Sequence, residues 1–494
     1  MFACGLTIFT GAENTFAADR LAQFITRQDD RLYEGTNEFR FLGLDAPALH
    51  QNENQLERNY SNRFPDEFEI EDTLASLEQI GARATRCFSI SLDSPANDGV
   101  PVYVNGMRRY NEAAFRTFDK ALELCHRHGV RVILPIIASQ SFWGWRGVDE
   151  FAAMRGQPGT NFWTDPRLRA EFKEYLADLV NRTNTFTGVQ YKNDPAILAW
   201  QLGNELMNYF WDRKLDDKSG AANLTAWSVE MAAYLKQIAP RQLVMEGGGN
   251  RAVYLADPNV DIISEHLYEY WRQRSNLPSD LAAVLREAWG EVKGRKPLIV
   301  DEFGMGDAHN LQALMDAIKE TGCSGGLLWS IRPHRRDGGF FYHSENGSRW
   351  NAYHWPGFTF GLAYDESHML TSLRREAFAI RGLPTPPLPP PTCAPVLFAV
   401  RPDGGLIWRG STGAAIYQIE RAPTVNGPWR LLADNVEDDP VSDAKDYENS
   451  HATALPAFYT DRAAKPGEVW CYRVKGKNDA GASPWSNIQC WRKP

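Results

Sequence analysis

The sequence predicts an α/β fold: a (β/α)₈ barrel followed by a small all-β sandwich. Three observations carry that expectation. Between 39 and 381, eight short β-rich runs alternate with longer helical patterns. A proline-rich stretch, GLPTPPLPPPT, follows at 382–392. Beyond it, 393–494 alternates short strands and turns with no helical periodicity.

The eight runs are 39–45, 82–89, 130–137, 196–203, 242–247, 260–268, 296–304 and 325–332. Between them, apolar residues recur at three- and four-residue spacing, as at 111–129 and 278–294, with Gly129 and Gly294 as helix-ending glycines. A last helix at 366–381 follows the eighth run. A barrel of this kind takes about 250 residues or more, so 494 residues accommodate one barrel at 23–381 and one small domain at 393–494. The linker is stiff, because proline fixes φ and removes the backbone donor.

Composition narrows the function. Apolar residues make up 43% and charged residues 23%, enough for a large core. The net charge of −9 excludes a phosphate-backbone partner, which needs a basic face. Aromatic residues reach 12%; their flat rings suit stacking on sugar faces, although core filling explains most of them. The seven cysteines form no metal-ligand spacing. Cys87, Cys125 and Cys323 fall among barrel elements, whereas Cys393, Cys471 and Cys490 cluster where one disulfide fits an oxidising compartment. Residues 1–22 carry a short apolar run and small residues at Ala17 and Ala18 but no basic start, a degraded export signal that implies a secreted or periplasmic protein. No run reaches the roughly 18 apolar residues of a membrane span.

The chemistry begins in ILAWQLGNELMN, 197–208, an apolar strand that ends in Asn204 and Glu205. In a barrel, side chains at the C-terminal strand ends face the mouth, which is where an ionisable acid is useful. The seventh run repeats the pattern, PLIVDEFG, ending in Asp301 and Glu302. Strand alternation allows only one of those two to face the mouth, and the residues alone do not decide which. Two carboxylates about 5–5.5 Å apart suit retaining glycoside hydrolysis. Around them, Asn204 can bond a sugar hydroxyl, Arg86 can hold Glu302 ionised, His266 and Tyr268 can steer a proton, and Trp329 can form a sugar platform.

This set, Arg86, Asn204, Glu205, His266, Tyr268, Glu302 and Trp329, resembles glycoside hydrolase family 5 over about 35–381. The resemblance implies a TIM barrel with Glu205 as acid/base and Glu302 as nucleophile. It selects Glu302 over Asp301. Family 5 cellulases usually carry a His near the end of the third strand; here Ser139, Gln140 and Trp143 stand instead, which is more like the β-mannan-active members. The implied activity is hydrolysis of β-1,4-mannosidic bonds in mannan or manno-oligosaccharides, without metal or cofactor. A β-1,4-glucan hydrolase and a non-catalytic carbohydrate-binding protein are the alternatives.

Two long connections, 138–163 and 329–358, exceed the 2–6 residues usual between strand and helix. Their Trp143, His334, His343, Glu345 and Trp355 are candidate substrate contacts that would wall a pocket and favour removal of terminal sugars. The competing reading is that these residues pack on one another. HSENG at 343–347 has too few ligands for a metal. The C-terminal region resembles a fibronectin type III module, an immunoglobulin-like sandwich, chiefly through YRVKGKNDAGASPWSN at 472–487. Its Trp408, Trp429, Trp470 and Trp485 are expected to pack in its core.

Overall fold

The computed structural model describes residues 21–52, 63–94, 99–139, 141, 146–215, 217–341, 343, 352–357, 365–391, 393–438 and 456–494. All eight runs form strands: β1 (Phe41–Leu44), β2 (Ala84–Arg86), β3 (Arg131–Pro135), β4 (Ile197–Gln201), β5 (Leu243–Met245), β6 (Ile263–Tyr268), β7 (Leu298–Gly304) and β8 (Gly325–Leu328). They pair in parallel as two four-stranded runs, β5-β4-β3-β2 and β6-β7-β8-β1. The runs join through the parallel bridge Met245–Ile262 and through Ala46 N, which donates to Arg86 O at 2.9 Å. The ring is closed, with no free edge.

Seven helices cover it: α1 (Glu67–Ile80), α2 (Glu112–His128), α3 (Pro166–Asn181), α4 (Asp217–Ile238), α5 (Leu281–Val292), α6 (Ala308–Thr321) and α7 (Glu366–Ala379). Only the six-residue helix Arg251–Ala256 lies between β5 and β6. Polar caps start most of them. Asp66 and Glu69 satisfy each other's backbone N–H groups as a capping box on α1, and Asn111, Asp165, Asp280, Asp307 and Asp365 accept first-turn N–H groups. Gly129 ends α2 at φ 68°, a left-handed turn that glycine adopts without a Cβ clash.

Inside the barrel Phe41, Ala84, Ile133, Ala199, Met245, Ile299 and Leu327 pack in one cluster with Ile25, Leu32 and Phe39. Ile25 and Leu32 belong to an antiparallel meander at 25–38, unforeseen in the sequence, which plugs the N-terminal end of the barrel, and Phe39 follows it directly. Glu34 of that plug pairs with Arg83 and Arg131. One end is thus sealed, leaving the C-terminal end for a ligand.

The C-terminal region is all-β. Ile416–Ala422 and Val469–Asn478 pair antiparallel at the centre of a five-stranded sheet, flanked by Arg430–Val436 and Gln489–Arg492. The disulfide joins Cys471 to Cys490 across neighbouring strands, and Cys393 stays free and exposed. Of the four tryptophans expected in the core, Trp408 is fully buried. Trp470, partly buried, packs against the same core with Arg421 over its ring at 4.3 Å, whereas Trp429 and Trp485 lie against Arg473 at 4.3 and 4.2 Å.

This region packs on α1. Arg409 stacks on Phe68 at 4.2 Å, and Thr412 Oγ1 donates to Asp72 Oδ1 at 2.5 Å. His334, from the connection after β8, lies between them, 3.0 Å from Asp72 and 3.2 Å from Asp438. No helix among the described residues is long and apolar enough to cross a membrane.

Candidate active site

Glu205 follows β4 with its backbone at φ 49°, a left-handed conformation that costs a non-glycine residue about 1–2 kcal/mol. Such strain persists where the surroundings hold it. Asn208 Nδ2 donates to Glu205 Oε2 at 2.9 Å, and His266 Nδ1 lies 2.9 Å from Glu205 Oε1. The acid therefore turns into the barrel mouth with about a quarter of its side chain open to solvent, 25%.

Glu302, in β7, is nearly enclosed at 6%. Arg86 Nη1 donates to its Oε1 at 2.7 Å and Tyr268 OH to its Oε2 at 2.5 Å. His266 Nδ1 stands 3.2 Å from Oε2, so one ring nitrogen faces both acids. Single oxygens of Glu205 and Glu302 and a nitrogen of His266 all lie within 4.8 Å of one another. That separation is in the range of double-displacement glycosidases, about 5 Å. By distance alone the three atoms also suit a cation. The acids already have cationic partners of the protein's own: Arg86 is ion-paired to Glu302, and His266 faces both carboxylates.

Asp301 shares the mouth. It lies 3.3 Å from His266 Nε2 and 3.5 Å from Arg86 Nε, and accepts from Gln201 Nε2 at 2.7 Å. Simple alternation would turn one of two consecutive residues away, but the register of β7 shifts between Val300 and Phe303. This irregularity lets Asp301 and Glu302 both face the interior. Asp301 is the deeper of the two, fully buried, and holds the base of His266.

Charge orders the cluster. Burial opposes an imidazolium at His266, but the Glu302 and Asp301 carboxylates and the hydrogen bonds of Asp301 and Glu205 override it, raising its pKa well above the usual histidine range. Burial raises Glu302, against which His266, Arg86 and the Tyr268 hydrogen bond stabilise its anion. Burial likewise acts to raise Asp301, but His266, Arg86 and Gln201 outweigh it and hold it below the usual carboxylate value. Asp45, one residue past β1, is fully buried and neither of its oxygens has a hydrogen-bond partner among the described residues. Burial, with the Glu302 and Asp301 charges nearby, raises its pKa well above normal against the opposing charge of Arg86.

The remaining expected residues divide. Asn204 Oδ1 accepts from Arg86 Nη2 at 2.5 Å. Trp329 joins Phe88, Ala138, Tyr268 and Met305 in an apolar cluster at the mouth, with His343 6.3 Å from its ring. His334 and Trp355 lie elsewhere. His334 is locked between Asp72 and Asp438, and buried Trp355 donates to Gln79 Oε1 of α1 at 2.8 Å. Both pack the long connection onto α1, because a buried imidazolium and an indole N–H each need a fixed partner. Trp143 and Glu345 lie outside the described residues.

Sequence reasoning missed Asp45, Gln201 and Asn208. Gln201 had a signal: a polar residue in an otherwise apolar strand, whose amide bridges Arg86 and Asp301 at 2.6 and 2.7 Å. A cleft of about 370 Å³ opens beside Glu205, lined by residues at and after the ends of β4 and β5, by Ser264, Glu265 and His266 of β6, and by Glu291 of α5.

Comparison with known proteins speaks to the barrel that carries this cluster. Residues 148–321 match the family model described as GH family 5 beta-mannosidase-like, a span containing Glu205, His266, Tyr268 and Glu302 but not Arg86 or Trp329. Mannan endo-1,4-beta-mannosidase 7 of Arabidopsis thaliana is 32% identical over 228 residues, 40% of this chain and 51% of that protein. Mannan endo-1,4-beta-mannosidase 2 of the same plant is 28% identical over 236 residues, 40% of this chain and 52% of that protein. The chain spans about half the length of these curated relatives. Among solved structures, the endo-1,4-beta-mannanase from Rhizomucor miehei superposes with a TM-score of 0.56 at 17% identity, over 73% of this chain and all of that one. The endo-beta-1,4-mannanase from Thermotoga petrophila gives 0.53 at 15% identity, over 93% of this chain and 99% of that one. At such identities the likeness speaks for the TIM-barrel fold. Residues 148–321 are thus similar to a GH family 5 beta-mannosidase-like domain, and the solved structures place the chain on a TIM-barrel fold.

Proposed function

We propose that the protein hydrolyses β-1,4-mannosidic bonds in mannan or manno-oligosaccharides with retention of configuration. The carrying observation is the pair Glu205 and Glu302, held within 4.8 Å across His266 at the mouth of a closed barrel. Glu205, open to solvent and next to the cleft, donates a proton to the departing glycosidic oxygen. Glu302, whose anion Arg86 and Tyr268 stabilise, attacks the anomeric carbon and forms a glycosyl-enzyme. Glu205, now deprotonated, takes a proton from water, which attacks the same carbon, displaces the Glu302 carboxylate and restores the original configuration. Trp329 and Asn204 serve substrate contact, and His343 walls the Trp329 side. Catalysis asks for no cofactor.

The mannosidic preference draws support from the matched family model and the mannan-acting curated relatives. In this reading the chain consists of a barrel at 23–381, a linker and a fibronectin type III-like module at 393–494. Export to an oxidising compartment suits the Cys471–Cys490 disulfide.

Replacing Glu302 with Ala should abolish release of reducing ends from mannan while leaving substrate binding. An unchanged rate ends this reading. Faster turnover of carboxymethyl cellulose than of mannan would replace it with the β-glucanase reading. Products of mannohexaose followed over time separate terminal from internal cleavage.

A further inference from the structure

The cleft beside Glu205 has walls of two kinds. On one side Glu205, Met207, Asn208 and Trp211 follow one another along the segment after β4. Asn208 and Trp211 are three residues apart in the short helix Asn208–Asp212, so they share one face. Asn208 is the residue that hydrogen-bonds the Glu205 carboxylate. The indole therefore sits one turn beyond the residue that holds the acid, on the same wall. Its 56% exposure leaves a large aromatic face in water, unlike the buried Trp163, Trp200 and Trp227.

The facing wall is nearly bare. Gly247, Gly248 and Gly249 line it, and a Cβ at Gly247 would stand 2.5 Å from the Gly203 backbone. Gly248 and Gly249 hold φ values of 94° and 141°, which other residues rarely adopt. Glu246 fixes this loop by accepting from Gly248 N and Ser264 N. Beyond it, Arg251 is neutralised by Glu265 and Glu291, leaving the cleft acidic.

We propose that this cleft is a sugar subsite in which Trp211 stacks on the leaving-side residue of a neutral β-linked oligosaccharide. The direction rests on the proposed reaction: the leaving oxygen receives its proton from Glu205, and the cleft extends from Glu205 without reaching Glu302 or Trp329. A volume near 370 Å³ lies in the range of small-molecule sites, about 300–1,000 Å³. The acidic lining disfavours uronates.

The test is titration calorimetry of mannohexaose into the Glu302→Gln protein, alone and combined with Trp211→Ala or Trp211→Phe. Trp211→Ala should weaken binding about tenfold, and Trp211→Phe should recover most of it. In the active enzyme, Trp211→Ala should lower kcat/KM for mannohexaose at least fivefold relative to that for p-nitrophenyl β-mannoside. Unchanged affinity, or an equal loss on both substrates, overturns the subsite. Binding of hexagalacturonate as tightly as mannohexaose overturns its neutral character. If Glu302→Gln hydrolyses mannan at the wild-type rate, the reaction reading fails, whereas the affinity comparison still decides whether Trp211 binds sugar. Matching melting curves exclude misfolding as the cause.

Discussion

Tyr268 donates its phenolic proton to Glu302 Oε2 at 2.5 Å, on the oxygen that also faces His266. This hydrogen bond favours the ionised carboxylate, opposing the burial that raises its pKa. Replacing Tyr268 with Phe removes the donor and leaves the ring. The pKa of Glu302 then rises further, more of it is protonated at a given pH, and the acid limb of the kcat/KM profile moves to higher pH. A drop in kcat of about 10–100-fold should accompany the shift. A pH–rate profile superimposable on the wild type would show that Tyr268 does not govern the nucleophile.

Arg86 anchors three side chains at once: Glu302 at 2.7 Å, Gln201 at 2.6 Å and Asn204 at 2.5 Å. It is 1% exposed, and its removal leaves Glu302 and Asp301 buried with only His266 to balance their charge. Arg86→Ala should cost about 3–5 kcal/mol in denaturant unfolding. Arg86→Lys should rescue little activity, because an ammonium cannot reproduce the guanidinium fork. Recovery of wild-type kcat by Lys would reduce the role of Arg86 to charge alone.

The sequence made the barrel legible because each strand is a bounded apolar run, and strand-end acids stand out against such runs. Glu205, Glu302, Arg86, His266 and Tyr268 meet at the mouth for that reason. Periodicity could not reveal the shift in β7, which turns Asp301 inward beside Glu302. Asp45 was hidden because a single acid after a strand resembles any turn aspartate, and only burial sets it apart. His334 and Trp355 looked like cleft residues because their connection is long. Their partners Asp72 and Gln79 lie more than 250 positions earlier, a contact no local pattern encodes.

The Cys471–Cys490 bond closes 19 residues of chain within the C-terminal region. Cross-linking a loop of this size stabilises by about 3 kcal/mol, mainly by restricting the unfolded chain. Reduction, or Cys471→Ala with Cys490→Ala, should lower the melting temperature of the C-terminal transition. The active-site cluster contains neither cysteine, so kcat on mannan should be retained below that transition. Loss of kcat at temperatures where the region remains folded would show that this sheet supports the site directly.

His334 ties the connection after β8 to both α1 and the C-terminal region. Burial opposes its charge, but Asp72, with the hydrogen bonds and charge of Asp438, pushes its pKa up to about 10. Thr412 hydrogen-bonds the same Asp72, and the Phe340 ring stacks on the imidazole at 3.9 Å. An unfolded histidine titrates near pH 6.5, so the charge contributes full stability below about pH 6.5 and loses it as pH rises towards 10. Asp72, held below its usual value, adds stability above about pH 4 that is lost in stronger acid. The contact between the two regions is therefore strongest in mildly acidic solution. The difference in melting temperature between wild type and His334→Gln should be greatest near pH 6 and shrink steadily towards pH 10. A difference that stays constant over that range would mean that packing against Phe340, and not the charge between Asp72 and Asp438, holds the two regions together.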